Sequence, residues 1–331
     1  MANSTVTVVK KASSQMCSVS MAFYVILVLT GILGNFLVMC VVGDNIKREP
    51  GGGRNSDMIL INMAFSNLMV SLIRNIPLVI TDLGYEVILS RDWCRFLMGV
   101  WVWLRAVNVW STLFLSTFHF YTLRRMGPPS ASLSASRGPP KPLLMAFFLI
   151  WTLNLLYSVP AFVFSTKGGK NSSETLMLVS STTRPLLGCI WDFPSTYSGL
   201  VFATTSMVIH ELIPIFLMSG TNLGSLLILY AHGNVHKAAS KSQDAPVVRR
   251  VPAERRAAKV ILALILLFII SWGASVISVN YFNYSHGGSV SYLLVVARFS
   301  NSAFIALSPI VLAVGHRRMR EVMKSIMKWK K

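Results

Sequence analysis

Five ionisable side chains stand inside stretches that are otherwise apolar: Arg74, Arg105, His210, Glu211 and Arg298. A charge in hydrocarbon is costly, so each has to face a cavity or a partner. Three arginines against one glutamate leave a net positive interior. Such a cavity suits an anionic group, a carboxylate or a sulfate, which a guanidinium fork binds through paired hydrogen bonds. Arg105 stands eleven residues after Cys94, which at about 1.5 Å per helical residue sets it roughly 16 Å deep, too far to snorkel out. Arg298 has Asn301 and Ser302 at i+3 and i+4 beneath it, whereas Arg74 is near an outer helix end and within reach of the interface. His210 and Glu211 precede Pro214, whose missing N–H and kink open a polar niche. Trp101, one turn outward from Arg105, and Trp272 offer aromatic walls. The competing reading is that Glu211 only neutralises Arg105 or His210 and that the indoles are packing. The residues alone leave both open.

The elements that must position these residues are membrane spans. Crossing the hydrocarbon takes about 20 apolar helical residues, and seven stretches qualify, near 19–42, 58–80, 96–123, 143–164, 197–230, 257–282 and 290–314. The composition agrees, with 53% hydrophobic and 13% charged residues and a mean hydropathy of +0.58. Seven spans and their connections use up most of the 331 residues, so the expected fold is an all-α seven-helix membrane bundle forming one domain over 1–331.

A net charge of +19 would suggest nucleic acid in a soluble chain, but the basic residues are distributed by loop. Lys47, Arg48 and Arg54 follow the first span, and Arg124, Arg125, Arg137 and Lys141 the third. Seven more, from Lys237 to Lys259, follow the fifth, and seven lie in the tail after Val314. Together these are 21 of the 31 Lys and Arg. By the positive-inside rule the N-terminus is outside and the tail cytoplasmic. The charge therefore reflects topology and attraction to anionic inner-leaflet lipid, with no call for nucleic acid. No cleavable signal peptide is expected, because the first apolar run begins after a polar segment and is too long for a signal core.

With that topology, three sequons beginning at Asn3, Asn171 and Asn283 become usable for N-glycosylation. Cys94 at the outer mouth of the third span and Cys189 in the long loop before the fifth share the oxidising side and are expected to be bridged. Cys17 and Cys40 read as free thiols or packing residues. In the tail, Met319, Val322, Met323, Ile326 and Met327 recur at helical spacing with Lys and Arg opposite, which predicts an amphipathic interfacial helix near 316–328. The loop 231–254 mixes Gly, Ser and Pro with basic residues and reads as flexible. Gly51-Gly52-Gly53 lacks the Lys and Ser/Thr of a phosphate loop and reads as a turn. No metal-ligand spacing, cofactor motif or catalytic set is present, so an enzyme is not expected.

Several motifs in order resemble the vomeronasal type-1 receptors. They are Gly31-Ile32-Leu33-Gly34-Asn35, Ile76-Pro77, the Cys94 to Arg105 spacing followed by Leu115-Ser116-Thr117-Phe118, Leu217-Met218-Ser219-Gly220, Pro252 to Ala257, and Leu307-Ser308-Pro309. The fish members, the olfactory receptors related to class A, are the most similar, through His119-Phe120-Tyr121 and His210-Glu211. The sequence departs from ordinary rhodopsin-like receptors at His119, at Asn67 in place of an aspartate, at Ser308-Pro309, and after Trp272, which lacks a following proline.

The resemblance implies a chemosensory G-protein-coupled receptor in the plasma membrane of olfactory neurons, with a small extracellular ligand and an inhibitory-type heterotrimeric G protein. The G protein is then expected against His119, Arg124, Arg125, Arg255, Arg256 and Lys259 at the cytoplasmic helix ends. A bitter-taste receptor shares the weaker motifs. A transporter or channel is a different class, but no internal repeat or matched pair of broken helices supports it.

Overall fold

The computed structural model describes residues 2–48, 54–85, 87, 89–125, 141–168, 180–239, 251–285, 292–315 and 317–328. Asn171 and Gly51 to Gly53 lie outside the described residues, as do the side chains of Asn3, Cys17, Arg125, Arg255, Arg256 and Asn283.

Seven helices are long and apolar enough to cross a membrane. Helix α1 is Ala2–Arg48. Helix α2 runs Arg54–Val70, through a π turn at Ser71–Asn75, to Ile76–Asp82. Helices α3 and α4 are Arg91–Arg125 and Lys141–Val163. Helix α5 runs Thr196–Met207, through a π turn at Val208–Leu212, to Ile213–Ala239. Helices α6 and α7 are Val251–Tyr284 and Tyr292–Gly315, and a short helix α8, Arg317–Lys328, follows. Strands β1, Ser165–Lys167, and β2, Cys189–Trp191, pair antiparallel between α4 and α5.

Both π turns have a local cause. Pro77 and Pro214 lack an N–H, and each ring would strike the carbonyl four residues back, at Ile73 and His210. Widening the turn moves those carbonyls aside without ending the helix. Side chains inside the wide turn are consequently rotated relative to a regular helix. At Ser71–Asn75 this buries Arg74 and Asn75, and at Val208–Leu212 it buries His210 and Glu211 together. Arg74, expected within reach of the interface, is only 6% exposed. The start of α5 is fixed by Ser195 and Ser198, which cap each other's backbone N–H at 3.2 and 3.3 Å.

Helix α3 is the most buried of the seven spans. Helices α2, α4 and α5 pack around it, with α6 also in contact, while α1 closes against α2 and α7. The α1 to α7 approach demands Gly34, where a Cβ would come within 2.8 Å of the Pro309 ring. Beside this contact the core is polar. Asn35 donates to the Ile305 carbonyl at 2.8 Å, and Asn67 donates to Asn35 and Ser308 at 3.2 and 3.3 Å. Asn108 in turn donates to Asn67 and Ser66 at 2.7 and 3.1 Å. These amides tie α1, α2, α3 and α7 through bonds to one another, with the Asn108 oxygen alone left without a partner among the described residues.

Cys94 and Cys189 are bonded with a Cα to Cα distance of 5.5 Å. This clamps β2 to the mouth of α3. Gly188 makes the turn into β2 with φ +73°, a conformation that favours glycine. Cys40 is a free, exposed thiol. Helix α8 packs on α7 and α1 and buries Met319.

Candidate functional site

In the outer half of the bundle, guanidinium and indole groups alternate. The Arg74 guanidinium lies 5.0 Å from the Trp101 ring centre. Arg105 lies 5.7 Å from the same ring centre and also rests 3.3 Å over Trp272. Helices α2, α3 and α6 thus meet through cation–π contacts, which strengthen when water is excluded. Arg105, 2% exposed, donates to the Asn301 amide oxygen on α7, and Arg74 donates to Asn75 at 3.3 Å. Among the described residues neither guanidinium has a carboxylate within 4.0 Å, and the Nε of each lacks a hydrogen-bond partner. The indole Nε1 of Trp101 and of Trp272 is also unpartnered.

Arg298 is different. Its guanidinium forks onto both oxygens of Asp82 at the outer end of α2 and lies 3.8 Å over the Tyr24 ring. The sequence-based count of interior charge omitted Asp82, because the span was drawn only to Ile80. In the outer half of the bundle the corrected set is three arginines against two acids. Arg298 already has its counter-ion, which leaves Arg74 and Arg105 as the cations without one.

Glu211 is fully buried but pairs with neither Arg105 nor His210 within 4.0 Å. Its Oε1 accepts from the Ser180 hydroxyl at 2.7 Å, the Thr182 backbone N–H at 3.0 Å and the Thr182 hydroxyl at 3.4 Å. The loop ahead of β2 therefore descends between the helices, where Ser180 to Thr183 are all buried. Ser181 sits 3.2 Å from Ser275 on α6 and accepts from Asn301 at 3.4 Å. The Trp191 indole donates to the Thr183 carbonyl at 2.8 Å. Glu211 thus anchors the outer loop, an arrangement that the expectation of a neutralising partner did not contain. This hydroxyl-rich wall was missed from the sequence, although the run Ser180-Ser181-Thr182-Thr183 close before Cys189 was its signal.

His210 faces away from the arginines. Its Nε2 is 3.1 Å from Asn154 Oδ1 on α4, and its ring meets Tyr157 edge-on at 4.5 Å. The expected role for His210 beside the ligand arginines is therefore revised, since adjacent residues in the π turn serve two different neighbours. The site that the structure assembles comprises Arg74, Trp101, Arg105, Trp272, Asn301, Glu211 and the buried loop. Chemically it offers fixed cations, aromatic faces and hydroxyls, all buried.

At the cytoplasmic end His119 is largely buried, with Nε2 unpartnered, whereas Arg124 and Lys259 are exposed. The side chains of Arg125, Arg255 and Arg256 lie outside the described set.

A family model described as "7 transmembrane receptor (rhodopsin family)" matches residues 34–311. The chain is 40% identical over 315 residues to olfactory receptor class A-like protein 4 of Danio rerio, a match covering 95% of this chain and 91% of that protein. It is 24% identical over 288 residues to the human vomeronasal type-1 receptor 2, over 86% of this chain and 69% of that one. Among solved structures, squid rhodopsin superposes with a TM-score of 0.69 at 18% identity, covering 95% of this chain and 82% of that chain.

Proposed function

Because the chain belongs to the rhodopsin family of seven-transmembrane receptors and is related to its olfactory class A-like members, we propose that it is a chemosensory receptor whose outer cavity takes a small anionic molecule. Coupling to a G protein and an extracellular ligand follow from the family. The anionic character of the ligand is the further step. The observation that carries it is Arg105, held between two indoles without a carboxylate within 4.0 Å among the described residues. A desolvated guanidinium with open N–H groups gains most from a carboxylate or sulfate.

Binding can signal only if the ligand has different affinities for two conformations. An anion drawn to Arg105 competes with the Asn301 oxygen and with the face of Trp272, the two contacts through which α3 holds α7 and α6. Weakening them favours a state in which the cytoplasmic ends of α6 and α7 are free to move. The G protein, of inhibitory type in this reading, then engages Arg124, Arg125, Arg255, Arg256 and Lys259, with His119, 7% exposed, reached only as the helix ends move apart.

Residues 1–331 act as one receptor domain in the plasma membrane of chemosensory neurons. In this reading α8 lies along the inner leaflet on its methionine face, and Asn3, Asn171 and Asn283 face the side where glycans are added. The test is a panel of size-matched carboxylates, sulfates, primary amines and neutral compounds on cells expressing the full chain with a promiscuous G protein. Responses to the anions are expected, and responses confined to amines would reject the reading.

A further inference from the structure

A cavity lies outside the helix bundle's centre. A groove of about 550 Å³ runs between α3, α4 and α5, lined by Trp110, Phe114, Ile150, Leu153, Asn154 and His210 among others. It occupies a different face of α3 from Arg105. Its rim residues Leu149 and Leu153 are 41% and 58% exposed within a membrane span, so it opens toward the acyl chains.

One end of this groove is polar. Asn154 and His210 are 7% and 1% exposed and bound to each other at 3.1 Å. Asn154 donates to the Ile150 carbonyl at 2.7 Å, which uses one of the two N–H groups of its amide. His210 Nδ1 turns to the Ser206 carbonyl one turn back along α5, which leaves the second Asn154 N–H as the open donor of the pair. Asn154 is thirteen residues into α4 and His210 fourteen into α5, roughly 20 Å from opposite membrane faces at about 1.5 Å per residue. The polar end is therefore near the middle of the bilayer, where phospholipid headgroups do not reach and water does not satisfy a free donor. From there to Ala146 the groove is walled by apolar side chains and by Thr117, whose hydroxyl is already bonded to the Leu113 carbonyl at 3.0 Å.

We propose that this groove is a second ligand site, reached through the bilayer, for a neutral lipophile with one hydroxyl or carbonyl group whose oxygen accepts from the second N–H of Asn154, beside His210. An acyl chain of the surrounding lipid fills the volume but leaves that N–H unsatisfied. A molecule with a single oxygen at its end fills the volume and completes its bond. A charged ligand is disfavoured here, because no cation or anion faces the groove to offset its desolvation.

The test uses the full-length receptor in lipid nanodiscs and a dodecanol carrying a photoreactive diazirine on its chain, with dodecanol and dodecane as competitors. Saturable labelling is expected at residues 146–157 or 209–210. Dodecanol should displace it at roughly a tenth of the mole fraction that dodecane needs, the factor that one net hydrogen bond supplies. Asn154→Leu should erase that preference. Ile150→Trp, which fills the groove and leaves the polar pair intact, should abolish labelling, and it carries the test alone if Asn154→Leu fails to fold. Absence of saturable labelling, equal displacement by dodecane, labelling spread evenly over other lipid-facing helices such as α1, or full labelling of a folded Ile150→Trp receptor would each overturn the proposal.

Discussion

Arg105 donates to Asn301, and the amide of Asn301 donates in turn to Ser181, 3.4 Å away. A single side chain on α7 therefore connects the deepest cation of α3 to the outer loop. A ligand that takes Arg105 also alters what holds the loop.

Arg105 should tolerate no replacement without loss. Arg105→Lys keeps the charge but loses the fork and the flat face over Trp272. It should weaken an anionic agonist roughly tenfold, and Arg105→Ala roughly a hundredfold, corresponding to about 1.4 and 3 kcal/mol. Agonist titrations at matched surface expression check this. Unchanged potency in Arg105→Ala would make the residue structural.

Glu211 should matter as an acceptor before it matters as a charge. Glu211→Gln retains a carbonyl oxygen for Ser180 and Thr182, whereas Glu211→Leu strands two buried hydroxyls, at about 1 to 3 kcal/mol for each unsatisfied group, and leaves the Thr182 N–H with only the Ser180 oxygen at 3.1 Å. Hydrogen exchange at the Thr182 amide should rise in the leucine variant and stay near wild type in the glutamine variant. Equal protection in both would refute the anchoring role.

Cys94→Ser and Cys189→Ser should each lower surface level or response, and the double variant should be little worse than either, since both remove one bond. The sequence separation of 95 residues sets an entropic ceiling of about 4 to 5 kcal/mol. Labelling of both thiols in the unreduced receptor would contradict the bridge.

Arg255→Glu combined with Arg256→Glu should depress nucleotide exchange by the G protein while leaving surface level and agonist affinity close to wild type. The basis is the loop distribution of charge together with the family. Full exchange activity in this double variant would remove the patch from the coupling surface.

The spans, their orientation and the bridged cysteine pair were legible because each depends on a single strong term: apolar length, basic loops, or a shared oxidising compartment. Arg105 was legible for the same reason, its depth following from helical rise alone. Arg74 was misjudged because regular periodicity does not announce a π turn. The proline two residues beyond the turn was the available hint, as Pro214 was for Glu211 and His210. Asp82 was missed because an acidic residue just past a predicted span end counts as loop until the helix is seen to continue. The descent of Ser180 to Thr183 has no periodic signal. It depends on Glu211, a partner 29 residues away from Thr182 in sequence.

The asparagine cluster that joins the first, second, third and seventh helices has a consequence for the receptor's response to its medium. Carboxamides neither titrate in the physiological range nor attract a hard monovalent cation as a carboxylate does. Sodium concentration and acidity consequently have no handle on this part of the molecule. The acids Glu211 and Asp82 stand nearer the outer loop, so acidity acting through them reaches the bundle from its extracellular side.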